Sequence, residues 1–242
     1  MYSTVNRKVA SSALKGLYVL HIDAATGDLL AMVDDDEWVA IDWLVRLLAA
    51  LQDFDADCVF GPVFPVYPET TPAWIVAANP LHVDWGHRGR RVQVGRSGNT
   101  LVKRAAIIKA AARFDVSLGR TGGEDTLFFH TLAKAGAVMV VTDDAIIHED
   151  APPARVNLQY FRQRAVRTGQ IYGRFILTTG PQGGLARTKF FGAALLKASA
   201  ALALAGLLWP FDKARALPFA IRGWMNVGKL RELLQLKPTQ MT

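Results

Sequence analysis

Apolar and polar positions along the first 150 residues follow two different periods. Short apolar runs over residues 29–33 and 58–60 are bounded by glycine or charged residues, which predicts buried strands. Between them, residues 40–52 repeat apolar positions at spacings of three and four, which predicts an amphipathic helix. A helix between two strands is a βαβ unit. We therefore expect an α/β fold with a mostly parallel sheet flanked by helices.

The same patterns continue to residue 180. Pro, Trp, His and Gly are frequent over residues 61–90, which indicates a loop or lid. Further predicted strands cover residues 91–103 and 137–142. Further predicted helices cover residues 103–113, residues 124–134 after a glycine-bearing loop, and the basic segment 155–180.

A nearly continuous apolar segment follows, over residues 188–209, with Lys197 as the only charge after Lys189. Residues 1–150 carry 14 Lys/Arg against 19 Asp/Glu, whereas residues 151–242 carry 14 against two. Basic surfaces attract nucleic acid, anionic lipid or phosphorylated substrates, and the apolar content of this basic half favours a membrane over nucleic acid. We expect no nucleic-acid partner and two domains, residues 1–180 and a membrane-associating helical tail over residues 181–242.

The single cysteine, Cys58, lies in an apolar run and is expected to be a buried, inert thiol. One cysteine excludes an internal disulfide and a cysteine-based zinc cluster. Residues 1–20 lack the pattern of a secretory signal peptide.

Four acidic residues in a row, 34–37, directly follow the first apolar run. Clustered carboxylates raise one another's pKa, and a divalent cation with oxygen ligands removes that cost. Carboxylates suit Mg²⁺ or Mn²⁺, which also bind substrate phosphates. The alternative is a solvated acidic turn.

Two other polar sites follow predicted loops or strands: the pair Glu124 and Asp125, and His148. Loops at the carboxyl ends of parallel strands meet at one edge of an open sheet, where ligands bind. This placement predicts a metal site and a candidate base close together. Alternatively, acids at a helix start complement the helix dipole, and a lone histidine after a strand is a structural residue.

Several of these motifs, in order, resemble glycosyltransferase family 2, with the exopolysaccharide branch most similar. The resemblance covers residues 10–172 and falls away afterwards. It rests on the segments GDLLAMVDDDEWVAIDWLVRLL (27–48), GPV (61–63), GNTL (98–101) and GGEDT (122–126), and on the basic stretch 164–169. It implies a GT-A fold, a nucleotide-sugar donor such as a UDP-sugar, a divalent metal and inversion at the anomeric carbon.

Site roles follow from the resemblance residue by residue. Asp34 and Asp36 match the ends of the D-x-D motif, with Asp36 on the metal and Asp34 or Asp35 on the ribose side of the donor. Asp125 matches the catalytic base. The remaining implied positions are Glu124 beside the base, His148 as a third metal ligand, and Arg164 and Arg167 near the diphosphate; for the two arginines, a helix face toward lipid or solvent is the alternative.

The start of the chain differs from the family. The first strand and the nucleotide-holding aspartate are absent, residues 2–5 resemble the third strand, and residues 14–15 are Leu-Lys where relatives have Arg-Asn. The domain is therefore expected to be truncated at its N-terminus.

The resulting prediction is an inverting, metal-dependent transferase that adds a sugar to a lipid-linked saccharide at the cytoplasmic face of the inner membrane. The tail is expected to be a monotopic anchor, because Lys197 disfavours a full span and Pro210 divides the segment. Two alternatives remain open: an inactive truncated fragment acting as a membrane-bound partner, and a Mg²⁺-dependent phosphotransferase.

Overall fold

The computed structural model describes residues 22, 24–115, 118, 122–180 and 183–235. These residues form two compact units. The first unit runs to Phe64 and resumes over Val83–Glu149, and the second takes Pro65–His82 and the chain from Asp150 onward. The predicted strand at residues 2–5 and the segment at residues 14–15 lie outside the described residues.

The described elements alternate between strand and helix in the first unit, and helices dominate the second. The strands are β1 (Leu29–Met32), β2 (Glu37–Val39), β3 (Cys58–Phe60), β4 (Val63–Val66), β5 (Thr100–Lys103), β6 (Met139–Val141) and β7 (Ile147–Asp150). The helices are α1 (Trp43–Asp53), α2 (Ala73–Ala78), α3 (Arg104–Ala110), α4 (Glu124–Lys134), α5 (Leu158–Thr179), α6 (Gly184–Leu208) and α7 (Lys213–Leu233).

The mixed α/β class with helices around a sheet confirms the predicted fold class. The main sheet has the order β1–β5–β3–β6, in which β3 and β6 are parallel and β5 is antiparallel to both of its neighbours. Strands β1, β3 and β6 thus run in one direction and β5 runs against them. The prediction of a mostly parallel sheet is therefore wrong for β5, because the long connection over residues 61–99 re-enters the sheet at the same edge at which β3 ends.

Two other local predictions need correction. The segment 61–90, expected to be a loop or lid, contains β4 and α2. Of the strand expected over residues 91–103, only β5 is a strand, although Arg91 makes an isolated bridge to Val140. A second sheet has the order β2–β7–β4.

Strands β3, β5 and β6 of the main sheet are buried on both faces, since successive side chains point to opposite sides, whereas β1 at the end of the strand order is partly exposed. Cys58 and Phe60 belong to one apolar cluster and Val59 to the other. The first cluster includes residues of α3 and α4, and the second includes the apolar stripe of α1. Helices therefore cover both faces, which explains why the strands read as short, continuous apolar runs. Cys58 is buried, as predicted, and burial raises the pKa of its thiol.

The second unit is built from long helices that approach closely where glycines face each other. A Cβ on Gly169 of α5 would lie 1.9 Å from the carbonyl oxygen of Met225, and one on Gly228 of α7 would lie 2.1 Å from that of Val166. Only glycine allows this approach. The pairing is supported by Arg174 of α5, whose Nε lies 2.9 Å from Oε1 of Glu232 on α7.

Helix α6 turns a small-residue face inward and a leucine stripe outward. Phe191, Ala194, Ala198 and Ala205 are its buried residues. Leu185, Leu196 and Leu207 recur every eleven residues, or three turns, and are 71%, 72% and 68% exposed. Among the described residues, α6 is the one helix long and apolar enough to cross a bilayer by length and composition.

Candidate active site

The reversed direction of β5 brings several loops to one edge of the main sheet. Thr100, the first residue of β5, pairs with Met32 at the end of β1 and with Phe60 at the end of β3. Phe60 in turn pairs with Val141 at the end of β6. The loop that precedes β5 therefore meets the loops that follow the other three strands, and this edge carries the acidic residues.

The acidic run forms a tight turn between β1 and β2. The backbone N–H of Asp34 donates to Oε2 of Glu37 at 2.8 Å, and the N–H of Glu37 donates back to the carbonyl oxygen of Asp34 at 3.2 Å. This reciprocal pair closes the turn and leaves Asp35 and Asp36 exposed at its tip. The two central side chains of the turn are therefore exposed to solvent.

Glu37 is the buried member of the run. Its side chain has no exposed surface, and Oε1 has no hydrogen-bond partner among the described residues. Burial, followed by the nearby charge of Asp34, raises the pKa of Glu37 from 4.5 to about 7. At neutral pH this carboxyl group is divided between its protonated and ionised forms.

Arg96 places a positive charge beside the acidic turn, and the sequence analysis did not identify it. Its guanidinium lies 3.7 Å from Oδ2 of Asp34 and 4.0 Å from Oε1 of Glu37. It also acts to lower the pKa of Asp125. The only signal was its position just before the Gly98–Asn99–Thr100 motif, which becomes informative once β5 is known to begin at this edge.

Gly98 and Asn99 hold the loop in place. A Cβ on Gly98 would lie 2.8 Å from Oε1 of Glu37 and 3.1 Å from Oδ2 of Asp34, so the loop backbone packs directly on the acids. Asn99 is fully buried in a left-handed conformation (φ 53°). Its amide accepts a hydrogen bond from Nε1 of Trp43 (2.7 Å) and donates to the carbonyl oxygens of Pro62 (2.7 Å) and Ala145 (2.8 Å).

Asp125 lies in the first turn of α4, as its sequence context predicts. Gly122 and Gly123 lead into the helix with φ of 77° and 106°, conformations that L side chains rarely adopt. Oδ2 of Asp125 accepts hydrogen bonds from the backbone N–H (3.2 Å) and Oγ (3.3 Å) of Ser97. Burial raises its pKa from 3.8 to about 6, the Ser97 hydrogen bond opposes the rise, and the neighbouring charges of Glu124 and Asp34 add to it.

The structure thus brings the Asp34 turn and Asp125 to the same edge, with residues 96–99 between them. His148 lies on β7, paired with Trp38 of β2, and its ring stacks on the Trp38 indole with centroids 5.9 Å apart. Its role as a metal ligand stays a prediction. Arg164 and Arg167 lie on α5 in the second unit, where Arg164 is near enough to Tyr67 to act on the pKa of its phenol.

Within the described ranges, no group of three or more His, Cys, Asp or Glu residues can enclose a metal ion. Mg²⁺ does not require such a cage, because one or two carboxylates and the substrate's phosphates commonly hold it. The exposed carboxylates of Asp35 and Asp36 supply hard oxygen donors of the appropriate kind. The turn therefore fits a metal that is shared with a phosphate-bearing substrate.

Among solved structures, the chain is similar to two crystal structures of TarS from S. aureus, both of residues 1–349. The one in complex with UDP-GlcNAc aligns over 90% of this chain and 71% of that chain, at 12% identity and a TM-score of 0.41. The one in complex with UDP aligns over 90% and 70%, at 13% identity and a TM-score of 0.41.

Sequence comparison gives closer relatives. The succinoglycan biosynthesis protein ExoM of Rhizobium meliloti (strain 1021) is 36% identical over 219 residues, which are 89% of this chain and 69% of that protein. A glucosyl-dolichyl phosphate glucuronosyltransferase of Haloferax volcanii is 28% identical over 171 residues, 66% of this chain and 50% of that protein. The model of glycosyl transferase family 2 matches residues 13–113, which include the acidic turn and the loop before β5. With ExoM aligned over most of both chains, this protein belongs to glycosyl transferase family 2.

Proposed function

We propose that this glycosyltransferase moves a sugar from a nucleotide-diphosphate sugar, with inversion at the anomeric carbon, to a lipid-linked saccharide in exopolysaccharide synthesis. Family membership supports sugar transfer, and similarity to ExoM, a succinoglycan biosynthesis protein, supports a role in exopolysaccharide synthesis. A UDP-sugar is the first donor to test, because the family resemblance implies a nucleotide-sugar donor of this kind.

One observation carries the assignment of the site. Arg96 lies 3.7 Å from the Asp34 carboxylate, and the next residue, Ser97, donates twice to the carboxylate of Asp125. A four-residue loop thus places two carboxylate groups with different partners at one edge of the sheet. An inverting transfer needs this arrangement, with one carboxylate group on the donor side and another on the acceptor side.

Asp125 is the proposed base. Because its pKa is raised to about 6, it is ionised at neutral pH but retains more basicity than an ordinary aspartate. It would take the proton of the acceptor hydroxyl as that oxygen attacks the anomeric carbon. A base with a pKa just below the working pH combines the correct protonation state with a useful driving force.

Asp34, Asp35 and Asp36 form the proposed donor side, with Asp36 holding Mg²⁺ or Mn²⁺ and Asp34 or Asp35 on the ribose side. The metal, when bound, would stabilise the charge of the departing diphosphate. Arg96 is placed to hold the Asp34 carboxylate in position. Arg164 and Arg167 stay proposed contacts to the diphosphate, and Glu124 and His148 stay proposed site residues.

The second unit supports attachment to a membrane surface on the cytoplasmic side. Helix α6 exposes a leucine stripe opposite its buried alanine face, and residues 151–242 carry an excess of twelve positive charges. Basic residues near an anionic leaflet each contribute roughly 1 kcal/mol. Lys197 in the middle of α6 disfavours a full span, so we propose that the helix lies in the interface as a monotopic anchor.

Substitution of the base tests the proposal. Asp125→Asn keeps the shape and removes the basicity, so turnover of a UDP-sugar onto a membrane-extracted acceptor should fall by about 10²–10⁴-fold. Binding of UDP, measured by calorimetry, should stay unchanged. Glu124→Gln is the matched control, since it removes the adjacent carboxylate. If Glu124→Gln abolishes turnover and Asp125→Asn does not, the base has been assigned to the wrong residue.

A further inference from the structure

Both hydrogen bonds from Ser97 to the carboxyl group of Asp125 reach the same oxygen atom. The backbone N–H lies 3.2 Å and the side-chain Oγ 3.3 Å from Oδ2. A carboxylate held by two donors on one oxygen is fixed in orientation, and its two oxygens become chemically different. Oδ1 is the oxygen that Ser97 does not engage.

Ser97 is itself held by the edge of the sheet rather than by α4. It is buried at 6% exposure, and the carbonyl oxygen of the preceding Arg96 accepts a hydrogen bond from Thr100 Oγ1 at 2.7 Å. On its other side, Gly98 packs against the acidic turn and Asn99 is fixed by its three amide hydrogen bonds. The position of Ser97 is therefore set by the same framework that positions Asp34.

We infer that Ser97 is a positioning residue for the transfer, which holds Oδ2 of Asp125 so that Oδ1 is the atom that accepts the proton. The inference rests on the proposed role of Asp125 as the base. In the step, the proton of the acceptor hydroxyl moves to Oδ1 and an electron pair of the acceptor oxygen forms the bond to the anomeric carbon. The bond from that carbon to the diphosphate oxygen breaks, and its electron pair leaves with the nucleoside diphosphate.

Ser97 also tunes how basic Asp125 is. Hydrogen bonds to the ionised form of a carboxyl group lower its pKa, whereas burial raises it. The backbone N–H of Ser97 lowers the pKa of Asp125 in this way, and the hydroxyl donates to the same oxygen at 3.3 Å. Removing the hydroxyl while keeping the backbone N–H should therefore raise the pKa of Asp125 further. A residue that only fills space would change stability or total activity but would leave this titration where it is.

The test is the pH dependence of kcat/KM for Ser97→Ala in the full chain. The acid limb should move to higher pH by about one unit, because a hydrogen bond to a charged group is worth about one unit of pKa. With the pKa of Asp125 moved from about 6 to about 7, activity at pH 6 should fall by about fivefold and the loss should shrink at pH 8.5, while KM for the UDP-sugar is unchanged. Ser199→Ala, at an exposed position of α6, is the matched control.

Two further measurements keep the test decisive. Ser97→Cys keeps the branching of the side chain, with a slightly larger atom that is a weak donor, so its acid limb should lie between those of wild type and Ser97→Ala. Carbon-detected NMR titration of the Asp125 carboxyl, assigned by its loss in Asp125→Asn, gives the same pKa without any activity.

The outcomes separate the two claims. Near-normal turnover in Asp125→Asn overturns the proposed base, and the inference fails with it. If Asp125→Asn is inactive but the Ser97→Ala and wild-type titrations coincide, the inference alone is wrong. If both variants behave as expected, Ser97 positions the base.

Discussion

The two units of the protein are stabilised in different ways. In the first unit, polar side chains link distant parts of the chain: Asn99 alone joins Trp43, Pro62 and Ala145. In the second unit, long helices pack through small residues, with Gly169 and Gly228 in reciprocal contact with helix backbones. Fixed polar groups suit chemistry, because a base must be held in one orientation. Close-packed helices with an apolar exterior suit attachment to a surface.

Acidic and basic residues are also distributed unequally along the chain. The acidic residues of the site belong to the half of the chain with a net charge of −5, and the half that carries α6 has +12. A carboxylate cluster would be repelled by an anionic lipid surface, whereas the basic half would be attracted to it. Residues of the proposed catalytic site and residues of the proposed membrane-attachment surface can therefore be substituted separately.

The largest effect is expected for Asn99→Ala, which removes the link between three parts of the first unit. It leaves the buried Trp43 N–H and two carbonyl oxygens without their partner, at about 1–3 kcal/mol each, and places alanine at a positive φ. We expect the free energy of unfolding in urea to fall by at least about 3 kcal/mol, the sum of the three lower values.

Asn79→Ala is the matched control, because Asn79 in the second unit has a similar φ of 47° and one side-chain hydrogen bond, to Tyr67. It should cost about 1 kcal/mol. Hydrogen exchange should rise mainly in first-unit peptides for Asn99→Ala. Equal rises in hydrogen exchange in both units would contradict the claim that Asn99 stabilises mainly the first unit.

A smaller, pH-dependent effect is expected for Glu37→Gln. The folded state raises the pKa of Glu37 from 4.5 to about 7, so the folded protein binds more protons than the unfolded chain in that window. Wild-type stability should therefore fall as pH rises from about 4.5 to 7. Glutamine cannot ionise, so the variant should be more stable above pH 7 by about 2–3 kcal/mol, with no difference near pH 4.

Urea unfolding at pH 4, 6 and 8 measures this effect. Glu69→Gln, at an exposed position in the second unit, is the matched control. A Glu37→Gln variant that is less stable than wild type at pH 8 would mean that the ionised carboxylate, through Arg96, stabilises the turn.

The smallest effect is expected at the surface of α6. Leu196→Asp places a negative charge on the exposed leucine stripe without disturbing the buried face. Its affinity for vesicles rich in anionic phosphatidylglycerol should fall by about tenfold, roughly 1.4 kcal/mol, from lost apolar burial and charge repulsion. Val45→Asp, at an exposed position of α1 in the first unit, should bind as wild type does. Equal losses in co-sedimentation would refute attachment through α6.

Local patterns predicted most of the elements. Helix α4 begins at Glu124 and ends at Lys134, as expected, because the two glycines and the acidic first turn define its start. Helix α1 and strands β3 and β6 also follow from apolar periodicity. The acidic turn and Asp125 were found because acids directly after a strand or a glycine pair stand out against their neighbours.

Features that depend on contacts distant in sequence were not predicted. The direction of β5 depends on the return of the chain, after residues 61–99, to the edge at which β3 ends, and no local pattern records this. Arg96 and Ser97 were missed for the same reason, since each acquires its partner only when β5 is placed beside β1 and β3. The burial of Glu37 was not predicted, because four consecutive acids show no difference in sequence between the buried and the exposed members. In the structure the Glu37 side chain is buried while Asp35 and Asp36 are exposed.

The position of β5 also constrains the order in which the protein can form during synthesis. Strands β1 and β3 each hydrogen-bond to β5 and not to each other. A ribosome-bound chain that has not yet reached residue 103 thus holds both strands without the partner that joins them in the folded sheet. Loop closure over residues 33–99 must come first, and closing long loops slows folding. The nascent first unit should accordingly depend on chaperones until β5 has emerged.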